Sequence, residues 1–174
     1  MTLHAAGGVR TRVPGTVLWP IPVALALHNA EEAATFTHYL PLVRARLPDF
    51  AQPFADRVGD ADLRVALVWA TIVPFLVIAW TTVRPTSVAA RWSTLAVQAV
   101  VALNVVSHVL VAGVLLGGYA PGLVTALVIN APLSFVLFRR AIRERWIPAW
   151  SWWLLPPAAV VIHGPVLIGL LLLV

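Results

Sequence analysis

Long apolar segments alternate along the chain with short polar or breaker-rich ones, and each apolar segment is long enough to be a helix that crosses a bilayer. The pattern predicts five spans, at about 16–39, 63–83, 92–116, 122–138 and 149–174. Pro20 and Pro22 fall in the first turns of the first span, where a missing amide hydrogen is tolerated. Pro74 predicts a kink in the second. From Pro41 to Asp62 the chain mixes Arg44, Arg46, Asp49, Asp56, Arg57 and Asp60 with further prolines, which predicts a loop holding a short interfacial helix around Phe50 to Val58. Arg84-Pro85 and Arg91 separate spans two and three. The uncharged turn Gly117 to Gly122 is short enough to make spans three and four antiparallel neighbours. The predicted fold is an all-α integral membrane helical bundle, one domain over residues 1–174.

One span breaks the pattern from within. The apolar run Thr16 to Leu27 leads into His28-Asn29-Ala30-Glu31-Glu32, which holds two of the chain's only three glutamates. His28, Glu31 and Glu32 stand at i, i+3 and i+4, so their side chains leave one face of a helix within a turn. Each ionisable group costs roughly 2.5 to 3.5 kcal/mol at mid-bilayer, so such groups face a bundle interior and have partners there.

The pentad, together with Asn104 to His108 read as N-x-x-x-H and Tyr119-Ala120-Pro121-Gly122 read as Y-x-P-G, resembles the HXXEE-domain family of small multi-spanning bacterial membrane proteins. The resemblance runs from about Val17 to the last helix. It implies a site built on the pentad and brings no activity with it.

Composition agrees with the spans. Of 174 residues 60% are hydrophobic and 11% charged, against about 25% charged in soluble domains, and mean hydropathy is +0.89. A net charge of +5 would suggest nucleic acid in a soluble protein, but all 12 basic residues are arginines at the ends of apolar segments. They read as topology signals facing anionic headgroups, and no nucleic-acid partner is expected. With Arg10 and Arg12, Arg84 and Arg91, and the cluster Arg139, Arg140, Arg143 and Arg145 on one side, five spans place the N-terminus in the cytoplasm of a bacterial cell and the C-terminus outside. Trp146, Trp150, Trp152 and Trp153 then form an interfacial belt. The basic N-terminal segment lacks a small-x-small cleavage site and is kept in the expected mature chain.

Counting 1.5 Å per residue from the cytoplasmic ends puts His28 roughly 20 Å deep, Glu31 and Glu32 roughly 24 to 27 Å, Asn104 and His108 roughly 18 to 24 Å and His163 roughly 22 Å. Three helices can therefore meet at one level. Without cysteine, any metal must be held by His, carboxylate or amide groups, which suits Zn, Fe or Mn. The expected ligands are His28, Glu31, Glu32, His108 and His163; the expected catalytic groups are Glu31, Glu32 and Asn104. Three readings stay open. One is a metal-dependent membrane enzyme, a hydrolase or oxidoreductase acting on a hydrophobic or lipid-like molecule. Another is a metal-free hydrolase in which a glutamate activates water, similar in residue types to the intramembrane CAAX-type glutamate proteases, although Phe36 stands in place of their arginine and Asn104 and His108 run in the opposite order. The third is a proton or small-molecule binding or transport protein. Asn104, Asn130 and Ser107 also suit interhelical hydrogen bonding, His163 suits gap filling beside Gly164-Pro165, and His4 and His38 suit tail or interface positions.

Overall fold

A computed structural model describes residues 12–169. His4, Arg10 and the last residues of the fifth predicted span lie outside the described residues. The chain forms α1 (Pro20–Arg46), a 3-10 turn at Asp49–Ala51 leading into α2 (Gln52–Ala55), α3 (Asp60–Val83), α4 (Val88–Leu116), α5 (Leu123–Arg143) and α6 (Ala149–Gly169). The described residues contain no strand. α3, α4, α5 and α6 are each long and apolar enough to cross a membrane. α1, with 27 residues, reaches about 40 Å at 1.5 Å per residue, but His28, Glu31 and Glu32 keep it from being apolar throughout.

The helix ends shift from the expected positions for identifiable reasons. α1 runs through Pro41 to Arg46. This puts Arg44 and Arg46 in its last turn, where cations favour the helix dipole, and their guanidinium groups donate to the carbonyls of Val58 and Leu115. α5 continues past Phe138 to Arg143 because arginine is a good helix former and suits a helix C-terminus. It stops where Arg145 takes φ 51° and the Trp146 amide folds back on Ala141 O at 3.0 Å.

One end of the bundle closes on a large apolar cluster. Leu18 and Ile21 of the α1 entry, Ile78 near the end of α3, Leu95 near the start of α4, Leu137 and Ala141 late in α5, and Trp146, Ile147 and Leu155 around the start of α6 form one buried cluster. Alternation of helix direction makes these the same end. A hydroxyl ladder helps to seal it: Thr81 Oγ1 lies 2.8 Å from Thr94 Oγ1 and 2.9 Å from Ala90 O, joining α3 to α4. Large apolar side chains such as Val73, Leu76, Val114, Val128, Phe135 and Val160 are exposed on the outer faces, as expected of a surface solvated by lipid. Toward the other end, Asn29 of α1 donates to Thr71 Oγ1 at 2.8 Å and to Leu67 O at 3.3 Å on α3.

Trp146 is 1% exposed, and its indole donates to Glu144 at 2.9 Å. Trp146→Ala should lower stability by about 3 to 5 kcal/mol, read as a depressed Tm in detergent micelles. An unchanged Tm would show that this end is not the core.

Candidate metal centre

The polar end is organised by the turn between α4 and α5. Leu123 N donates to Ala120 O at 3.0 Å across Pro121 and Gly122, and Gly122 has φ 77° and ψ −4°. Those angles are a type II turn, with proline at its favoured second position and glycine where φ must be positive. A Cβ on Gly122 would lie 2.7 Å from His28 Cε1 and 3.0 Å from His108 Cε1. Two imidazoles from α1 and α4 are therefore packed onto one α-carbon, their ring centroids 4.7 Å apart and edge to face.

His28 is fully buried and His108 is 8% exposed. Their Nε2 atoms lie 3.1 Å apart. Asn104 Nδ2 is 2.8 Å from His28 Nε2, and Glu32 Oε2 is 3.8 Å from it. On the other side of the ring, His28 Nδ1 is 3.0 Å from Thr125 Oγ1, whose one hydroxyl proton has the Glu31 carboxylate and Gly122 O, at 3.3 Å, as acceptors. The threonine therefore accepts from His28, so Nδ1 carries the proton and Nε2 presents a lone pair to His108, Asn104 and Glu32. The Pro121 backbone also hydrogen-bonds the His108 ring, from the other arm of the turn. A polar partner on one nitrogen fixes the tautomer of a ligand-ready histidine.

The two adjacent glutamates do different things. Glu31 accepts from Tyr119 Oη at 2.6 Å, from Val124 N at 3.2 Å and from Thr125 N at 2.7 Å. It is a carboxylate from α1 that satisfies free amides in the first turn of α5, where the helix dipole favours negative charge. Tyr119 packs against Tyr39 at 5.4 Å, and burial, followed by the Glu31 hydrogen bond, raises its phenol above the ordinary value, keeping it a donor. Glu32, its side chain 29% exposed, turns to the histidines instead. Ligand atoms of His28, Glu32 and His108 all lie within 4.8 Å of one another.

Of the residues expected from sequence, the structure thus brings His28, Glu32, His108 and Asn104 together and directs Glu31 to the α5 N-terminus. His163 places Nε2 3.2 Å from Ser107 Oγ. Sequence reasoning passed over Thr125, Asn29 and Thr71. The available signals were a threonine three residues after a turn glycine and an asparagine inside the pentad. Widened, π-type turns at Val111–Leu116, Ala126–Asn130 and Ile162–Val166 begin just after His108, begin just after Thr125 and contain His163. Such turns in three of the surrounding helices are a frequent mark of functional sites.

Residues 19–137 match a family described as "Protein of unknown function with HXXEE motif". The chain belongs to the HXXEE family. Its family-defining residues are His28, Glu31 and Glu32, and the structure shows that they serve two ends of one construction. A similar protein is "Uncharacterized protein YrkK" of Bacillus subtilis (strain 168), 28% identical over 122 residues that cover 70% of this chain and 72% of the relative. No solved structure matches.

Gly122→Ala would force an L-residue into the left-handed region, about 1 to 2 kcal/mol by itself, and drive its methyl into both imidazoles. Loss of more than about 2 kcal/mol is expected; a neutral substitution would contradict the packing. In chelator-treated protein, Glu31→Gln should lower stability by about 1 to 3 kcal/mol through its charge-assisted bonds, while Glu32→Gln should leave the Tm close to that of the wild type treated alike. Equal shifts from the two would contradict the division of roles.

Proposed function

We propose that this HXXEE protein is a membrane-embedded metalloprotein that holds one divalent transition ion through His28, Glu32 and His108 and uses it on a hydrophobic substrate drawn from the bilayer. The observation that supports it is the convergence of the Nε2 atoms of two buried histidines and the half-buried Glu32 carboxylate. Two nitrogens 3.1 Å apart, each about 2.0 to 2.1 Å from zinc, subtend about 98° at the ion, compatible with tetrahedral or octahedral coordination. At tetrahedral angles two bonds of that length bring their ligand atoms to about 3.4 Å of each other, so Glu32, the most exposed of the three, moves inward by about 1 Å to close the site. Two neutral imidazoles and one carboxylate leave a divalent ion with a net positive charge, able to polarise a carbonyl or lower the pKa of bound water. Asn104, beside His28 Nε2, is placed to orient a bound water or substrate oxygen. Hydrolysis and oxidation both use such a centre, and the residues favour neither.

In this reading α1 is the fifth span. The arginine-rich ends of α5 and the α3–α4 connection face the cytoplasm, while the Gly117–Gly122 turn and the metal centre lie toward the outer leaflet. Reporter fusions at Gly118 and after Arg145 should give outside and cytoplasmic signals respectively, and the reverse pattern would invert the molecule.

Elemental analysis of protein purified without chelators should find about one Zn, Fe or Mn per chain, and substantially less in His28→Ala and His108→Ala at matched folding. Metal-free wild type, or full retention in both variants, would overturn the metalloprotein and leave Glu32 as the base of a metal-free site.

A further inference from the structure

A groove of about 400 Å³ runs between α4, α5 and α6, inside the range of about 300 to 1,000 Å³ typical of ligand pockets. Its two long walls are Ala99 and Leu103 of α4 and Pro156, Ala159 and Val160 of α6, with Phe138 of α5 closing it. Every one of these side chains is apolar, and the rim residue Val160 is exposed toward the bilayer. One turn further along both walls the character changes. Ser107 is four residues beyond Leu103, His163 is four beyond Ala159, and their Oγ and Nε2 meet at 3.2 Å. Both are half-buried. Ser107 also reaches Leu103 O at 3.2 Å, so its single proton serves one of two acceptors and the pair keeps hydrogen-bonding capacity for an incoming group. The next residue after Ser107 is His108 of the candidate metal centre, and His163 lies within electrostatic reach of it.

We propose that this groove and the Ser107–His163 pair form the subsite for the hydrocarbon chain and polar head of a single-chain, uncharged lipid: a long-chain alcohol, aldehyde or ester. The apolar walls take the chain. The hydroxyl–imidazole pair takes a compact head that needs one or two hydrogen bonds and no counter-ion, since neither partner carries a fixed charge and a charged head would be costly at this depth. The pair thus receives the head beside the metal centre and positions it there. Naming the substrate class in this way rests on the proposed reading of the metal centre, but occupation of the groove does not require a metal.

The test uses the full chain in phosphatidylcholine nanodiscs with a diazirine-bearing long-chain alcohol, photolysed and mapped by mass spectrometry, beside a headless diazirine alkane. Adducts of the alcohol should concentrate on the 99–107 and 156–163 stretches and should be lost from them in both Ala99→Trp and Ala159→Trp. His163→Ala should weaken capture of the alcohol, relative to the alkane, by about 2- to 10-fold, the value of one neutral hydrogen bond. Adducts spread over the exposed faces of α3 in proportion to their exposure, labelling unaffected by both groove-filling variants, or equal capture of alcohol and alkane would overturn the proposal. Metal content measured on the same samples separates the two readings: groove labelling in metal-free protein sinks the metalloprotein alone, and stoichiometric metal with no groove labelling sinks the lipid subsite alone.

Discussion

The α-carbon of Gly122 is the point on which the polar end of this molecule depends. Two buried imidazoles, from α1 and α4, approach within 3.1 Å of each other against a residue that has no side chain to hold them apart. The turn that places it there also fixes the antiparallel pairing of α4 with α5, and its carbonyls orient the rings through Thr125 and Pro121. The amides that it leaves free at the start of α5 are then taken up by Glu31. Each contact presupposes the others: moving α1 by one turn would remove the carboxylate from the α5 terminus and the imidazole from the turn together.

That arrangement answers the energetic problem of ionisable groups in hydrocarbon. Glu31 is compensated by three donors from other elements, His28 by four polar neighbours, and Asn29 by Thr71 and Leu67. Glu32 and His108 are the members whose partners are chiefly other ligand atoms of the cluster. A divalent ion is the partner that would compensate Glu32 fully while using the lone pairs the tautomers expose. The opposite end of the bundle, closed around Trp146 and Ile147, supplies the rigidity against which this polar network is held.

The helices were legible from hydropathy because their apolar runs far exceed the length of a buried soluble helix. Their ends were not. Pro41 reads as a terminator, yet α1 passes through it, since Arg44 and Arg46 find carbonyls on the α2–α3 connection and on α4 that only the folded chain provides. The i, i+3, i+4 spacing shows that His28, Glu31 and Glu32 share a face, but the face is wider than one site. Glu31 lies at the edge that meets a helix terminus and Glu32 at the edge that meets His108, a distinction that comes from the neighbouring helices. Thr125 was invisible for the same reason: its importance comes from acceptors on other residues, the Glu31 carboxylate and Gly122 O, which take its hydroxyl proton and leave its oxygen free to accept from His28.

In the proposed reading the pentad, the Asn104 to His108 stretch and the Tyr119 to Gly122 turn are parts of one metal-binding site. X-ray absorption at the metal edge of the purified, metal-loaded chain tests it most directly, because imidazole rings give a distinctive multiple-scattering signature. The account predicts two imidazoles and carboxylate or water oxygen per ion, falling to one imidazole in His108→Ala. A coordination shell of oxygen alone, or one unchanged by that substitution, would contradict it.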